Sequence, residues 1–183
     1  MQFRTTVFTA ALALPLVHAV NINLFWSIFE DQCDHSEPYA SCTNINADVC
    51  CVYSSPFFSA EGTGLYTEDV PDVIAAFTGS IGQCSVSCNS GGGDNTECVQ
   101  CQGTTLSGAI WYRFGTRKGP VAAVSETVYA DRIGLWDTAL GAHRHFNISA
   151  GVPSAVVAEL DAALKNGTRA ELLSGQVLPY EIK

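Results

Sequence analysis

Eight cysteines set the strongest constraint on how this 183-residue chain can fold. All of them lie within residues 33–101, at Cys33, Cys42, Cys50, Cys51, Cys84, Cys88, Cys98 and Cys101. An even number of clustered cysteines in an exported chain is typical of a disulfide framework, for which roughly a hundred pairings are possible. Each bridge would stabilise the fold by about 2–4 kcal/mol, which is large against a net stability of roughly 5–15 kcal/mol. The cysteines therefore predict a disulfide-stapled module, and no cofactor is expected.

The first nineteen residues have the pattern of a secretory signal peptide. Arg4 supplies a basic start, residues 6–17 form an apolar run too short to span a bilayer, and Ala19 is a suitable cleavage residue. Residues 1–19 are therefore predicted to be removed, leaving a secreted, extracellular chain with no membrane span. An alternative cleavage after Val17 would leave His18 at the new N-terminus, where its imidazole and the free amine could chelate copper.

The charge is distributed unevenly along the chain. Residues 20–101 contain eleven acidic and no basic side chains, whereas residues 102–183 contain seven acidic and eight basic ones. An acidic surface repels phosphate backbones, so nucleic acid is not expected as a partner. The partner predicted instead is an extracellular protein or a glycan.

The order of the patterns predicts an α+β fold: a small antiparallel β module over 20–115, followed by a cysteine-free α/β segment over 116–183 that ends in helices and packs on the module. Alternating apolar residues predict strands over 22–29 and 109–114, and an apolar run predicts a third over 49–53. Helical spacing of apolar residues predicts a short helix over 70–77, and a stripe of Val157, Leu160 and Leu164 predicts a longer one over 154–165. Thr168 and Glu171 have the spacing of a capping box that opens a further short helix. A turn at 116–120 is expected to mark the boundary between the β module and the C-terminal segment.

The pairing of the cysteines is less constrained than their number. Cys50 and Cys51 are neighbours in a predicted strand, so their side chains should point to opposite faces and reach different partners. The expected bridges are nested ones between Cys84 and Cys101 and between Cys88 and Cys98, with Cys33 and Cys42 pairing to Cys50 and Cys51.

Few residues stand out as candidates for chemistry. Asn147 and Asn166 each begin an N-glycosylation sequon. His143 and His145 would share one face of a strand, and Asp131 or Asp137 could complete a metal site there. The sequence contains no Gly-x-Ser-x-Gly nucleophile motif, and oxidised cysteines exclude thiol catalysis. A carboxylate pair for glycoside hydrolysis stays open because such pairs are set by geometry, and Trp26, Trp111 and Trp136 could stack on sugar rings.

Two family resemblances follow from these motifs. The run from Cys42 to Cys51, followed by Ser54-Ser-Pro-Phe-Phe-Ser59, resembles small secreted cysteine-rich proteins of filamentous fungi, including effector candidates; the resemblance covers residues 25–101. The succession of strand, polar turn and strand also resembles half of a βγ-crystallin-like Greek key, but that family's calcium signature is absent, so no calcium residues are implied.

We therefore expect a secreted, glycosylated, non-enzymatic extracellular protein that acts as an effector-like binding protein. The alternative is a secreted carbohydrate-active hydrolase or sugar-binding module. A second alternative is an extracellular metal-binding protein that uses His143 and His145.

Overall fold

The computed structural model describes residues 18–27, 33–115 and 124–183. These residues contain a single α-helix, two short 3₁₀ helices and twelve strands. The strands are β1 (Val20–Phe25), β2 (Tyr39–Ile45), β3 (Val49–Val52), β4 (Ser59–Thr63), β5 (Asp72–Thr78), β6 (Val86–Gly92), β7 (Thr96–Gln100), β8 (Gly108–Arg113), β9 (Glu126–Tyr129), β10 (Arg132–Asp137), β11 (Ala142–Asn147) and β12 (Glu181–Ile182). The helices are α1 (Ser154–Lys165) and the 3₁₀ helices Ala170–Leu172 and Leu178–Tyr180. Most of the predicted signal peptide, the far end of the predicted first strand and the predicted turn at 116–120 lie outside the described residues.

The strands form two sheets. Seven strands make the larger sheet in the order β12-β11-β10-β2-β1-β4-β7, and five make the smaller one in the order β6-β5-β8-β3-β9. All neighbouring strands are antiparallel except β3 and β9, which are parallel. Strands that follow residue 123 complete both sheets, because β10 pairs with β2 and β9 pairs with β3. The two halves of the chain are therefore interleaved in hydrogen-bonded sheets.

The main core lies between the two sheets. On β1, Ile22 and Leu24 are fully buried, and they belong to the same apolar cluster as Ile74 and Trp111 from the smaller sheet. The indole Nε1 of Trp111 donates to the backbone oxygen of Ile45 at 2.9 Å, so this large ring is buried without leaving its polar atom unpaired. We call the side of the seven-stranded sheet that faces this core the inner face, and the opposite side the outer face.

The helix α1 extends the same core beyond the smaller sheet. It packs against β10, and its buried Val156, Leu160 and Leu164 join the cluster that contains Ile133 and Leu135. The helix over 154–165 is thus confirmed with its predicted bounds, although Val156 is the buried valine and Val157 lies only half-buried. The capping-box helix is reduced to one 3₁₀ turn at Ala170–Leu172, with no side-chain cap.

The predicted α+β class is wrong, because strands dominate both halves of the chain. In the described residues after 123, four strands accompany one α-helix, so this segment does not form a mixed α/β appendage that ends in helices. The strand β10 was hard to recognise because its residues Ile133, Gly134 and Leu135 are all buried, which removes the alternation by which a strand is recognised.

The predicted helix over 70–77 is also wrong: this stretch forms β5. All residues from Val73 to Phe77 are buried, since β5 lies between β6 and β8 and is covered on both faces. A strand buried on both faces is a continuous apolar run, which contains helical spacing by chance.

All eight cysteines form disulfides, as predicted: Cys33–Cys98, Cys42–Cys51, Cys50–Cys84 and Cys88–Cys101. Cys50 and Cys51 do reach partners on opposite faces of β3, since Cys51 lies in the inter-sheet core and Cys50 in the separate cluster on the far side of the smaller sheet. The nested pairing was wrong, and Cys33 does not pair with Cys50 or Cys51, whereas Cys42–Cys51 is among the bridges that were expected. Residues around Cys88 and Cys98 form β6 and β7, which belong to different sheets, so their bridges run to other strands and loops.

None of the helices in the described residues is long and apolar enough to cross a bilayer.

Candidate ligand-binding cleft

The outer face of the seven-stranded sheet carries a cleft lined mainly by polar side chains. Strand register explains why they converge. Across β4, β1, β2 and β10, the residues Glu61, Asn23, Ser41 and Arg132 stand opposite one another in one row. Residues directly opposite in paired antiparallel strands share a face. The row therefore spans four strands, or about 14 Å at the usual strand spacing, with an acid at one end and a base at the other.

A second row supplies the aromatic part of the cleft. Tyr39 stands opposite Phe25 on one side and Gly134 on the other, and Gly134 stands opposite His145. Because Gly134 has no side chain, the ring of Tyr39 lies directly over its Cα; a Cβ there would be 2.7 Å from Tyr39 Cζ. His143, two residues before His145, shares the same face and stands opposite Trp136.

The residues of both rows, with their neighbours, enclose a volume of about 350 Å³, within the usual range for small-molecule sites. The lining residues are Asn21, Asn23, His35, Tyr39, Ser41, Thr43, Glu61, Thr63, Arg132, His143 and His145.

At the acidic end, Glu61 is held by two donors. It is 2% exposed, Asn23 Nδ2 donates to its Oε2 at 3.0 Å, and His35 Nε2 lies 3.0 Å from its Oε1. Burial raises the pKa of the Glu61 carboxyl, and the hydrogen bond from Asn23 and the nearby His35 partly oppose that rise. The acidic end of the cleft therefore pairs the buried carboxyl of Glu61 with the exposed imidazole of His35.

The loop between β1 and β2 brings His35 over the sheet. The disulfide of Cys33 with Cys98 ties this part of the loop to β7, and the Cys33 amide donates to Ser59 Oγ at 3.2 Å. An Asp34 turn, in which its Oδ1 accepts from the Ser36 amide at 2.8 Å, then directs His35 toward Glu61. One function of this disulfide is therefore to position part of the cleft.

At the basic end, hydrogen bonds hold two imidazoles in place. Tyr39 Oη and His145 Nε2 are 2.8 Å apart, and His143 Nε2 lies 2.9 Å from the backbone oxygen of Glu37. Burial lowers the pKa of both histidines, and the positive charge of Arg132 lowers that of His145 further. Both imidazoles are consequently neutral at pH 7. Burial also raises the pKa of Tyr39, so its hydroxyl stays protonated.

Arg132 is the cation at this end. Its Nε is buried and has no hydrogen-bond partner, and the ion pairs found within the described part of the chain do not include it. By contrast, Arg144 on the inner face is bound by Glu181 and Asp137. A partly buried guanidinium that lacks a carboxylate partner is uncommon, because burying an unpaired charge costs free energy.

The predicted metal ligands belong to this cleft, but the carboxylates predicted to complete them are engaged elsewhere. Asp131 accepts from the amide and hydroxyl of Thr43, and Asp137 accepts from the amides of Ala139 and Leu140. Among the described residues, no group of three His, Cys, Asp or Glu side chains is placed to hold a metal ion. His18, the residue of the copper alternative, has its Nε2 3.1 Å from the Asp72 carboxylate, away from the cleft.

The glycosylation candidates lie at two different places. Asn166 is exposed just after α1. Asn147 ends β11 opposite Arg132, so a sugar on it would lie beside the basic end of the cleft. Its Oδ1 accepts from the Ser149 amide at 2.8 Å.

The sequence analysis did not identify the cleft residues Asn23, His35, Tyr39, Glu61 and Arg132 as parts of a site. A usable signal was present: polar residues alternate with apolar ones in Asn21-Ile-Asn-Leu24, in Tyr39-Ala-Ser-Cys-Thr43 and in Arg132-Ile-Gly-Leu135. That alternation identifies one polar sheet face. It does not identify which strands are neighbours, so the cleft itself could not be predicted.

Of the predicted sugar-stacking tryptophans, Trp111 is buried in the core, whereas Trp26 and Trp136 are half-buried. Trp136 touches the cleft, since its ring centroid is 5.3 Å from that of His143.

Fold and cleft together define a small cysteine-rich protein of two β-sheets, stapled by four disulfides, with a polar cleft on the outer face of the larger sheet. Residues 21–132, which are 112 of the 183 residues, match the family model ARB_05566_N, described as an N-terminal domain. The chain therefore belongs to the ARB_05566_N family. This match and the four disulfides fit the predicted resemblance to small cysteine-rich fungal proteins. Neither the search of curated proteins nor that of solved structures finds a match.

Proposed function

We propose that this protein is a secreted, non-enzymatic binding protein whose ligand is a saccharide held in the outer-face cleft. The observation that carries the proposal is the composition of the cleft. Its eleven lining residues are all polar or aromatic; ten lie in register on one sheet face, and His35 comes from the loop between β1 and β2. Secretion is supported by the signal-peptide pattern and by four disulfides, which form in oxidising compartments.

A saccharide suits the cleft because both are dense in alternating donors and acceptors. Asn21, Asn23, Ser41, Thr43 and Thr63 offer amides and hydroxyls that can donate as well as accept. Tyr39 adds a flat apolar ring with a polar tip, the kind of surface on which a sugar ring can lie. An apolar ligand would take these groups out of water without offering them hydrogen bonds, at a cost of about 1–3 kcal/mol for each donor or acceptor left unpaired.

Binding can be measured by isothermal titration calorimetry against a panel of short oligosaccharides, after a retention screen on insoluble polysaccharides. Replacing His35, which is exposed at the cleft mouth, by alanine should weaken binding without unfolding the protein. Gln102→Ala, at an exposed residue outside the cleft, is the matched control and should leave affinity unchanged. If no saccharide binds, or if both variants behave alike, the proposal fails.

A carbohydrate-active hydrolase is the second candidate, and the raised pKa of buried Glu61 favours it. A carboxyl whose pKa is raised keeps its proton to higher pH and can donate it to a leaving group. The two-carboxylate mechanisms need a second acid, and Glu61 is the single carboxylate among the described residues that line the cleft. Release of reducing ends that disappears in Glu61→Gln would establish hydrolysis; binding without release would leave the protein as a lectin-like module.

A further inference from the structure

We infer that the saccharide carries an anionic group, a carboxylate or a sulfate ester, which pairs with Arg132 at the basic end of the cleft. This inference rests on the proposed function and specifies its ligand class. Its main observation is that the buried Nε of Arg132 has no partner, and that no carboxylate of the described residues forms an ion pair with this guanidinium.

The surroundings of Arg132 favour an anion from outside the chain. Its neighbours in the sheet are Ser41 and Asn147, which are uncharged and cannot neutralise it. His143 and His145 are neutral at pH 7, so the guanidinium is the fixed positive charge of this end. Guanidinium groups bind carboxylate and sulfate oxygens through two parallel N–H donors, and such charge-assisted bonds are about twice as strong as neutral ones.

The acid of the cleft lies too far away to oppose the pairing strongly. Glu61 and Arg132 stand at opposite ends of a four-strand row, about 14 Å apart at the usual strand spacing. Coulomb repulsion falls with distance, so at that separation Glu61 opposes an anion at Arg132 much less than an adjacent carboxylate would. Glu61 is also next to His35, which lies 3.0 Å from it.

The net charge of −9 decides what kind of anion fits. A long polyanion would bring many charges against the acidic surface, whereas a short ligand with one charge at Arg132 meets fewer of these acidic side chains. The anion is therefore expected on a short or sparsely charged saccharide.

The test compares matched ligands by calorimetry at 150 mM salt: a uronic-acid trisaccharide, its carboxyl-reduced neutral counterpart, and that neutral trisaccharide bearing one sulfate ester. Protein with and without enzymatic removal of N-glycans is used, because Asn147 neighbours Arg132. We expect one charged ligand to bind roughly 10- to 100-fold more tightly than the neutral one. The carboxylate and sulfate arms show which anion the site prefers.

Two variants separate the possible outcomes. Arg132→Gln should abolish the preference for the charged ligand, while Arg132→Lys should restore part of that preference. Lys183→Gln makes the same change in net charge at an exposed position and should have no effect. Near-UV circular dichroism confirms that each variant is folded.

The inference is overturned, and the proposed function kept, if neutral and charged trisaccharides bind equally and Arg132→Gln changes neither. If no saccharide binds, the proposed function fails. A titration with sodium sulfate followed by NMR then tests whether Arg132 binds an anion without a saccharide. Sulfate-dependent shifts of the Arg132 side chain that vanish in Arg132→Gln would sustain an anion site; their absence would overturn it as well.

Discussion

Replacing Gly134 by alanine should displace the Tyr39 ring and destabilise the protein. A Cβ at position 134 would lie 2.7, 3.0 and 3.1 Å from three atoms of this ring, whereas carbon atoms pack best at about 3.5–4.0 Å. The ring would have to move by about 1 Å. Phe25 and His143 contact it, with ring centroids at 5.4 and 4.7 Å, so they resist the movement.

The expected loss in the free energy of unfolding is about 1–2 kcal/mol. Over-packing of a well-filled site costs roughly 1–3 kcal/mol. Against this, exchanging glycine for alanine restricts the unfolded chain and stabilises by about 0.4–1 kcal/mol, a gain that is available because Gly134 has no positive φ. Urea unfolding followed by tryptophan fluorescence measures the difference.

Gly175→Ala is the matched control, because nothing lies within 4 Å of its added Cβ and its φ is not positive. It should stabilise by about 0.4–1 kcal/mol. In a Tyr39→Ala background, Gly134→Ala should no longer be destabilising, since the clashing ring is gone. A Gly134→Ala variant as stable as Gly175→Ala, or a cost that persists without Tyr39, would refute the reasoning.

The Gly134→Ala variant should also alter the cleft. Tyr39 Oη and His145 Nε2 are 2.8 Å apart, so a displaced ring uncovers the imidazole. Because burial is the first cause that lowers the pKa of His145, this pKa should rise toward its ordinary value of 6.5 in an NMR titration. Saccharide affinity should fall in parallel.

Three further outcomes follow from the core and the site. Glu61→Gln should remove one component of the pH dependence of stability. The raised pKa of Glu61 means that the folded state holds its proton more tightly, so the contribution of this carboxyl to stability is greatest at low pH and is lost as pH rises from near 4.5 through the raised pKa. Urea unfolding between pH 4 and 8 tests this, and an unchanged slope in the variant would contradict it. Leu160→Ala, at a fully buried residue of α1, should cost about 2–5 kcal/mol, whereas Leu172→Ala, at a residue that is 71% exposed, should cost less than about 0.5 kcal/mol; equal losses would contradict the placement of the helix. Native protein should contain no thiol that reacts with a thiol reagent, and peptide mapping should recover a peptide joined by Cys33 and Cys98; free sulfhydryls or a different partner for Cys33 would contradict the way the cleft loop is anchored.

The strength of local patterns explains which elements were predictable. The helix over 154–165 was found with correct bounds because it has an apolar stripe, a proline before it and an Asn-Gly sequence after it. The strand over residues 72–78 was taken for a helix because both of its faces are buried, which removes the alternation that distinguishes a strand.

Local sequence alone determined that the cysteines would all be oxidised, that Cys50 and Cys51 would face opposite ways, and that alternating polar residues would occupy one face of several strands. These properties depend on neighbours along the chain and on the redox state of the compartment. Only the tertiary structure decided the disulfide partners and the convergence of Glu61, Tyr39 and Arg132, which are separated by up to 93 residues. The physical reason is that strand order and register are set by the packing of whole sheets, so the neighbours of a residue across a sheet are not encoded near it in the chain.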